Sequence, residues 1–241
     1  MKSQVSFFIV MGLIAVFIIS ISVIKFKPEI INTTDDSKKV TESMTNCLNE
    51  IAFNGIETMG KQGRIYPNTY LATDDIKISY FYFKGKNYMP SIEEYELELE
   101  SYINENIYEC IKKQKYSIET SKLPETSVEF NGEIKIDVDF PLVIRSSAGE
   151  SNINEFQTII DFNFTGIRSQ VEEVIIKTLE NPDWIYLDEV SKDQNVKLIR
   201  VDESTIIYVL KREGEFPFEY RYAVKYLWKS YFFYLLYWFF L

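Results

Sequence analysis

Histidine is absent from this 241-residue sequence, and cysteine occurs only at Cys47 and Cys110. Without histidine there is no Ser-His-Asp or Cys-His arrangement, no histidine-based zinc or iron site, and no ordinary proton shuttle near neutral pH. Two cysteines are too few for a thiolate cluster. The nine glycines are scattered singly, so no glycine-rich phosphate loop is present. We therefore predict a protein that is not an enzyme and needs no cofactor.

Charge is lacking over twenty consecutive residues, 5–24. Lys2 precedes this run, and Lys25 and Lys27 follow it. A helix of that length is about 30 Å long, which is the thickness of the hydrocarbon core of a bilayer. The run predicts an N-terminal membrane anchor within residues 1–27.

A cleaved secretory signal peptide is the alternative interpretation of the uncharged run. Ser20-Ile21-Ser22 would then supply the small-x-small cleavage site. The apolar region of a signal peptide usually has about 7–15 residues, so the length of this run favours an anchor that stays attached.

The residues before the run, Lys2-Ser3-Gln4-Val5-Ser6, resemble the class III signal peptides of archaeal type IV pilin-like proteins. The resemblance implies cleavage between Ser3 and Gln4, with the apolar helix retained and able to pack with copies of itself. Ser3 stands where that family usually has Gly or Ala, and Phe8 stands where it usually has an acidic residue. An uncleaved signal anchor is the alternative.

Negative charge dominates the rest of the chain, and the formal net charge of the whole sequence is −10. That field repels phosphate backbones, so we expect no nucleic-acid partner. It suits solubility at an exposed surface, or a cationic partner. A positive-inside count of Lys2 and the amino terminus against Lys25 and Lys27 slightly favours a cytoplasmic domain. Long domains, however, translocate largely regardless of local charge, and a pilin-like leader also places the bulk of the chain outside. We expect a single-pass protein of the cell membrane with an extracytoplasmic domain.

After a polar spacer at 28–36, residues 37–120 have the pattern of two amphipathic helices around a strand hairpin at 76–87. Asp35 or Asp36 caps the first helix, and Gly60 and Gly63 are expected to stop it. Its apolar positions recur every three or four residues: Val40, Met44, Cys47, Leu48, Ile51, Ala52, Ile56 and Met59.

The second helix of this unit begins with a capping box of Ser91 and Glu94. Its apolar stripe is Ile92, Tyr95, Leu99, Tyr102, Ile103, Ile107, Cys110 and Ile111. Its acidic run, Glu93, Glu94, Glu96, Glu98 and Glu100, is predicted to be the solvent-facing side.

Cys47 and Cys110 each lie on the core-facing stripe of a helix. Packing of both helices on the hairpin between them would bring the two sulfurs together, and an extracytoplasmic domain would then carry a disulfide. Two buried free cysteines that act as small apolar residues are the alternative.

Residues 121–228 are predicted to form an antiparallel sheet with one helix, because the pattern turns to period two from Ser127. Asn131-Gly132 is a hairpin signal, and the return strand places Ile134, Ile136, Val138 and Phe140 on one face. Further strands are expected at 156–164, 196–201, 205–211 and 216–224, with turns between them. Thr165 caps a helix that ends at Asn181-Pro182, with Ile167, Val171, Val174, Ile175 and Leu179 on its inner side. The chain thus predicts an α+β fold, in which antiparallel β-meanders pack with about three helices after the transmembrane helix.

Asp137 and Asp139 lie on one face of the predicted strand, with Asp161 on the next strand. Such carboxylates could bind a divalent cation or act as an acid/base pair. The solvent-facing side of a half-buried sheet has the same composition, and we favour that interpretation.

Residues 229–241 are almost wholly apolar and aromatic. Counted from Ala223, with Lys225 and Lys229 snorkelling, about nineteen residues are available for a second membrane contact. Packing onto the domain, or an atypical terminus such as a reading-frame error, are the alternatives.

The whole chain also resembles a type of archaeal membrane-anchored protein with no assigned role. The residues that carry this resemblance are the Gln4-Val5-Ser6 leader, Cys47 and Cys110, Gly60-x-x-Gly63-Arg64-Ile65-Tyr66-Pro67, and Phe218-x-Tyr220-x-Tyr222-Ala223. It implies a place at the membrane and no particular activity.

We predict a non-catalytic surface protein for adhesion, assembly or envelope structure, with the lipid bilayer and other copies of its anchor helix as partners. A ligand-binding or sensory ectodomain for a cation or cationic partner is the alternative, and a carboxylate-based hydrolase is the third hypothesis.

Overall fold

The computed structural model describes residues 35–146, 149–186, 195–212 and 217–227. The predicted anchor, the Ser3–Gln4 processing site and the aromatic segment 229–241 lie outside these residues. Within them, no helix combines the length and the apolar character that crossing a membrane requires.

The described part of the chain has an α+β fold with three long helices, one short helix and two sheets. The helices are α1 (Asp35–Gln62), α2 (Ile92–Asn106), α3 (Tyr108–Lys112) and α4 (Phe164–Glu180). The strands are β1 (Tyr70–Ala72), β2 (Lys77–Phe83), β3 (Lys86–Asn87), β4 (Ser117–Thr120), β5 (Glu125–Asn131), β6 (Glu133–Ser146), β7 (Gly149–Ile160), β8 (Asn195–Arg200), β9 (Thr205–Arg212) and β10 (Phe218–Lys225).

The first sheet has six strands in the order β1-β2-β10-β9-β8, with β3 also paired to β2. Strands β8, β9 and β10 form the predicted antiparallel meander. The pairing of β2 with β10 is parallel, which differs from the antiparallel expectation. It places a strand of the segment 37–120 next to the last strand of the segment 121–228, in one sheet.

The second sheet is built on β6, which has 14 residues. Strand β7 follows one edge of β6, whereas β5 and then β4 pair with the other edge. The β6–β7 register shifts between Asp139 and Leu142, where the partner on the other edge changes from β5 to β4. Pro141 lies there, and proline has no N–H to donate to a ladder.

Helix α1 lies against β10 of the first sheet and β7 of the second. All eight of its predicted apolar positions are buried. They belong to one hydrophobic core, to which all four helices and both sheets contribute. The core thus spans the segments 37–120 and 121–228.

Gly60 does not stop α1, contrary to the prediction, because the helix continues to Gln62. A Cβ at Gly60 would lie 2.6 Å from the carbonyl oxygen of Glu219 and 2.7 Å from the ring of Phe218. Glycine at this position therefore allows α1 to approach β10 closely. Gly63 has the expected role, since it follows the helix with φ +80°.

The capping box of α2 is confirmed: the Ser91 N–H donates to Glu94 Oε2 at 2.8 Å, and the Glu94 N–H donates to Ser91 Oγ at 3.2 Å. At α4, the N-cap is Asn163 and not Thr165, since Asn163 Oδ1 accepts the Gly166 N–H at 2.9 Å.

Two further predictions in this region are wrong. Strand β7 covers Gly149–Ile160 and not 156–164, because pairing with β6 extends it into a polar segment without alternation. Leu179 is 39% exposed, whereas Thr178, one turn after Val174, is fully buried.

The Sγ atoms of Cys47 and Cys110 lie at disulfide distance, 2.13 Å, so the predicted pairing is confirmed in the structure. Cys47 is on α1 and Cys110 is on α3, and both are buried in the main core. The bond links two helices that are 63 residues apart in the sequence.

We expect a C47A/C110A variant to lose about 4 kcal/mol of unfolding free energy, because the unfolded chain no longer contains a closed loop of that length. Urea unfolding of the full chain in detergent micelles measures this loss. Reductant should destabilise the wild type to a similar extent and leave the variant unchanged. Two free thiols in the untreated wild type would contradict the assignment.

Candidate functional site

Asp137 and Asp139 point away from the core, on the side of β6 opposite Ile136 and Val138. Lys135 Nζ lies 2.7 Å from Asp137 Oδ2, and the Gln157 amide donates to Asp137 Oδ1 at 2.7 Å. The side chains of Lys135 and Asp137 are 39% and 46% exposed. These contacts match the solvent-facing interpretation of the strand.

Asp161 does not lie near these two carboxylates. It follows β7, whose Ile160 pairs with Ile134 at the start of β6, whereas Asp137 pairs with Gln157. Asp161 is thus four residues beyond Gln157 along the chain, about 13 Å if that stretch is extended. Among the residues that the structure describes, no group of three or more His, Cys, Asp or Glu side chains could hold a metal ion.

A row of three carboxylates does cross the four-stranded sheet, although the sequence pattern did not indicate it. Glu125 pairs with Asp139, and Asp139 pairs with Glu155. Lys122 lies beside the row, with Nζ 3.1 Å from Glu125 Oε2 and 2.9 Å from Asp139 Oδ2. A signal for part of the row was present in the sequence. A two-strand hairpin that turns at Asn131-Gly132 pairs Glu125 with Asp139.

Hydrogen bonds to Asp139 and Glu125 raise the pKa of Lys122, so this amine stays protonated at neutral pH. Its ammonium group therefore supplies the positive charge that a divalent cation would otherwise bring to these carboxylates.

Glu98 is the most deeply placed carboxylate of the predicted acidic run, and it is not solvent-facing as expected. Its side chain is only 9% exposed, and that of Arg64 is 14% exposed. Arg64 Nε donates to Glu98 Oε1 at 2.6 Å, and a second guanidinium nitrogen donates to the same oxygen. The Ile65 and Tyr66 N–H groups donate to Oε2 at 2.8 and 3.4 Å. Both oxygens are thus engaged in holding the segment after α1.

Glu96 and Glu100 also bind backbone and do not simply face solvent. Glu96 Oε1 accepts the Phe130 N–H at 2.9 Å, and Glu100 Oε1 accepts the Val128 N–H at 3.0 Å. Both N–H groups lie on the edge of β5 that β6 does not pair with. The two carboxylates therefore take the place of a neighbouring strand at this edge.

Buried tyrosines connect the segment after α1 with β10. The Tyr95 hydroxyl donates to the Gly63 carbonyl oxygen at 2.9 Å and lies 2.6 Å from the Tyr220 hydroxyl. Burial raises the pKa of Tyr95 and of Tyr220 above the ordinary tyrosine value. Both hydroxyls therefore stay protonated at neutral pH and act as structural hydrogen-bonding groups, without forming a phenolate base.

A cleft of about 260 Å³ lies between α1, the end of β7 and the start of β10. Its lining is mainly apolar: Phe53, Asn54, Ile56, Glu57, Ile160, Phe162, Pro217 and Phe218. Pockets for small molecules usually measure about 300–1,000 Å³, and Glu57 is already paired with Lys61 at 2.6 Å. We assign no ligand to this cleft.

Comparison of the chain with protein-family models, with curated proteins and with solved structures gave no match.

We expect millimolar Ca²⁺ to leave the melting temperature of the full chain unchanged, because Lys122 already pairs with two of the three carboxylates in the row and the described residues contain no group of ligands that could hold a metal ion. Thermal unfolding in micelles with Ca²⁺ and with EDTA measures this. A calcium-dependent rise that disappears in a D137N/D139N variant would contradict the expectation.

We expect Glu98→Gln to lower the free energy of unfolding by about 3 kcal/mol, because it leaves the largely buried Arg64 without its charged partner. Glu109→Gln is the matched control, since Glu109 and its partner Lys112 have side chains that are 59% and 69% exposed. The control should change stability by less than about 1 kcal/mol. Equal effects of the two substitutions in urea unfolding would contradict a structural role for Glu98.

Proposed function

We propose that this chain is a non-catalytic surface protein, anchored in the cell membrane by residues 5–24, whose α+β domain lies on the extracytoplasmic side. There it serves in adhesion, assembly or envelope structure. The lipid bilayer and neighbouring copies of the anchor helix are its partners.

The observation that carries this proposal is the Cys47–Cys110 pair at disulfide distance. Disulfides persist in oxidising compartments and are rare in the cytosol, where thiols are kept reduced. Helix α1, which bears Cys47, begins at Asp35, shortly after the uncharged run ends at Ile24. A disulfide-bearing domain directly after a membrane-spanning length of sequence fits an anchored ectodomain.

The use of the acidic groups supports a role without catalysis. Glu98 is occupied by Arg64 and by two backbone N–H groups, and Asp139 is paired with Lys122. General acid/base catalysis needs a carboxyl group that is free to exchange a proton with a substrate. These groups instead stabilise the domain and set its surface charge.

The side of the membrane can be tested by labelling intact cells that express the full chain with a membrane-impermeant amine reagent. We expect modification of Lys86 and Lys115, which are exposed, to the same extent in intact cells as in lysate. A cytoplasmic protein in the same cells should be labelled only after lysis, and a K86Q/K115Q variant identifies the two sites in the peptide spectrum. Protection of both lysines in intact cells would contradict the ectodomain.

Processing of the leader is tested separately by mass spectrometry of the N-terminus of the membrane-bound protein. A chain that starts at Gln4 would support pilin-like cleavage, and we expect Gln4→Ala or Ser3→Glu to reduce it. A chain that starts at Met1 would reject cleavage, and one that starts after Ser22 would reject the anchor itself.

A further inference from the structure

The six-stranded sheet has a second apolar face, on the side away from the main core, which we call the outer face. It consists of Ile78, Tyr80, Ile207, Val209 and Ala223, with Leu71, Ile76 and Phe83 packed against them. All of these residues lie on strands or directly beside them. The four helices contribute to the main core and not to this cluster.

The centre of the outer face is nevertheless buried. Ile207 and Tyr80 are 5% and 6% exposed, and Ala223 is fully buried. An apolar face of a sheet must be buried against another layer of the structure. The outer face therefore needs a cover, and the described helices do not supply it.

We propose that residues 228–241 pack against the outer face, so that this apolar segment completes the domain and does not make a second membrane contact. Its composition suits that position, because Lys229 is its one charged residue and nine of its fourteen residues are Phe, Tyr or Trp. Aromatic side chains bury large apolar areas and pack favourably against the rings of Tyr80 and Phe83.

The course of β10 supports this occupant. Strand β10 supplies Ala223 to the centre of the outer face and pairs with β2 and β9, which supply its four other buried residues, Ile78, Tyr80, Ile207 and Val209. Leu227, the last described residue, would lie 3.5 Å from a Cβ placed on Gly85. Gly85 is two residues beyond Phe83 of the cluster. The segment therefore starts at the border of the surface that it covers.

The length of residues 228–241 also agrees with the width of the outer face. Fourteen residues form a helix of about 21 Å, and the distance from β2 to β8 across the sheet is three strand spacings, about 14 Å. A helix of this length crosses the face, whereas about twenty residues are needed to span a bilayer. In addition, Ala223, Val224 and Lys225 are held in β10, so they are not available to lengthen a membrane segment.

The other uncharged segment, residues 5–24, is a poorer occupant. It leads into α1, where Asp36 Oδ1 accepts the Tyr116 hydroxyl at 3.1 Å. Tyr116 lies next to β4 of the four-stranded sheet, so the chain enters α1 on the side of the second sheet. Residues 5–24 also have the length that a bilayer requires.

Photo-crosslinking in the full chain, reconstituted in lipid nanodiscs, tests the proposal. A photoreactive phenylalanine analogue replaces Ile199, which is 39% exposed and pairs with Ile207 of the outer face. The matched control places the same analogue at Ile159, which is 53% exposed on the other sheet. Mixing with isotope-labelled chains separates links within one chain from links between two copies.

We expect position 199, and not position 159, to link to the peptide 230–241 of the same chain. Links from position 199 only to lipid, to another copy or to residues 5–24, or no links at all, would overturn the proposal. The result does not depend on which side of the membrane the domain occupies, so amine labelling of Lys86 and Lys115 can fail independently of it.

Tryptophan fluorescence gives a second measurement. A W184F variant leaves Trp228 and Trp238 as reporters of the segment, and a W228F/W238F variant leaves only Trp184, which is 70% exposed on the domain. Lipids brominated in the acyl chains should quench the two variants equally. Stronger quenching of Trp228 and Trp238 would show insertion into the bilayer and would overturn the proposal.

Discussion

Carboxylates on α2 satisfy backbone N–H groups in two separate parts of the fold, and the arrangement of the domain depends on them. Glu98 holds the segment after α1, whereas Glu96 and Glu100 bind the free edge of β5. Four helical residues rise about 6 Å and two strand residues rise about 6.6 Å, so side chains at i and i+4 can match N–H groups of Val128 and Phe130. An edge strand covered in this way cannot pair with another chain.

Contacts of α2 also explain why two sequence motifs, at residues 60–67 and 218–223, lie next to each other. Arg64, in the segment that follows Gly63, is tied to α2 through Glu98, while Tyr95 of α2 joins the Gly63 carbonyl to Tyr220 of β10. Gly60 allows close contact with the backbone of Glu219. The residues of both motifs thus have a structural role in this domain.

Local patterns predicted the apolar stripes, the capping box, the strand hairpin at Asn131-Gly132 and the pairing of Cys47 with Cys110, because each depends on residues a few positions apart or on a stripe facing the core. The features that were not predicted depend on contacts between segments that are far apart in the sequence. Glu98 was predicted to face solvent because helical periodicity cannot show that the backbone N–H groups of Ile65 and Tyr66 lie within hydrogen-bonding distance of it. The parallel pairing of β2 with β10 and the polar start of β7 were set by their neighbours in the sheets. For the candidate metal ligands, spacing placed Asp137 and Asp139 on one face, but only the strand register shows that Asp161 lies far from them.

The central claim, that carboxylates of α2 replace a strand at the edge of β5, can be measured most directly by amide hydrogen exchange of the full chain in micelles. We predict that the Val128 and Phe130 amides exchange as slowly as amides inside the β5–β6 ladder, and that they exchange much faster in an E96A/E100A variant. Rapid exchange of both amides in the wild type, at the rate of an open edge strand, would contradict it.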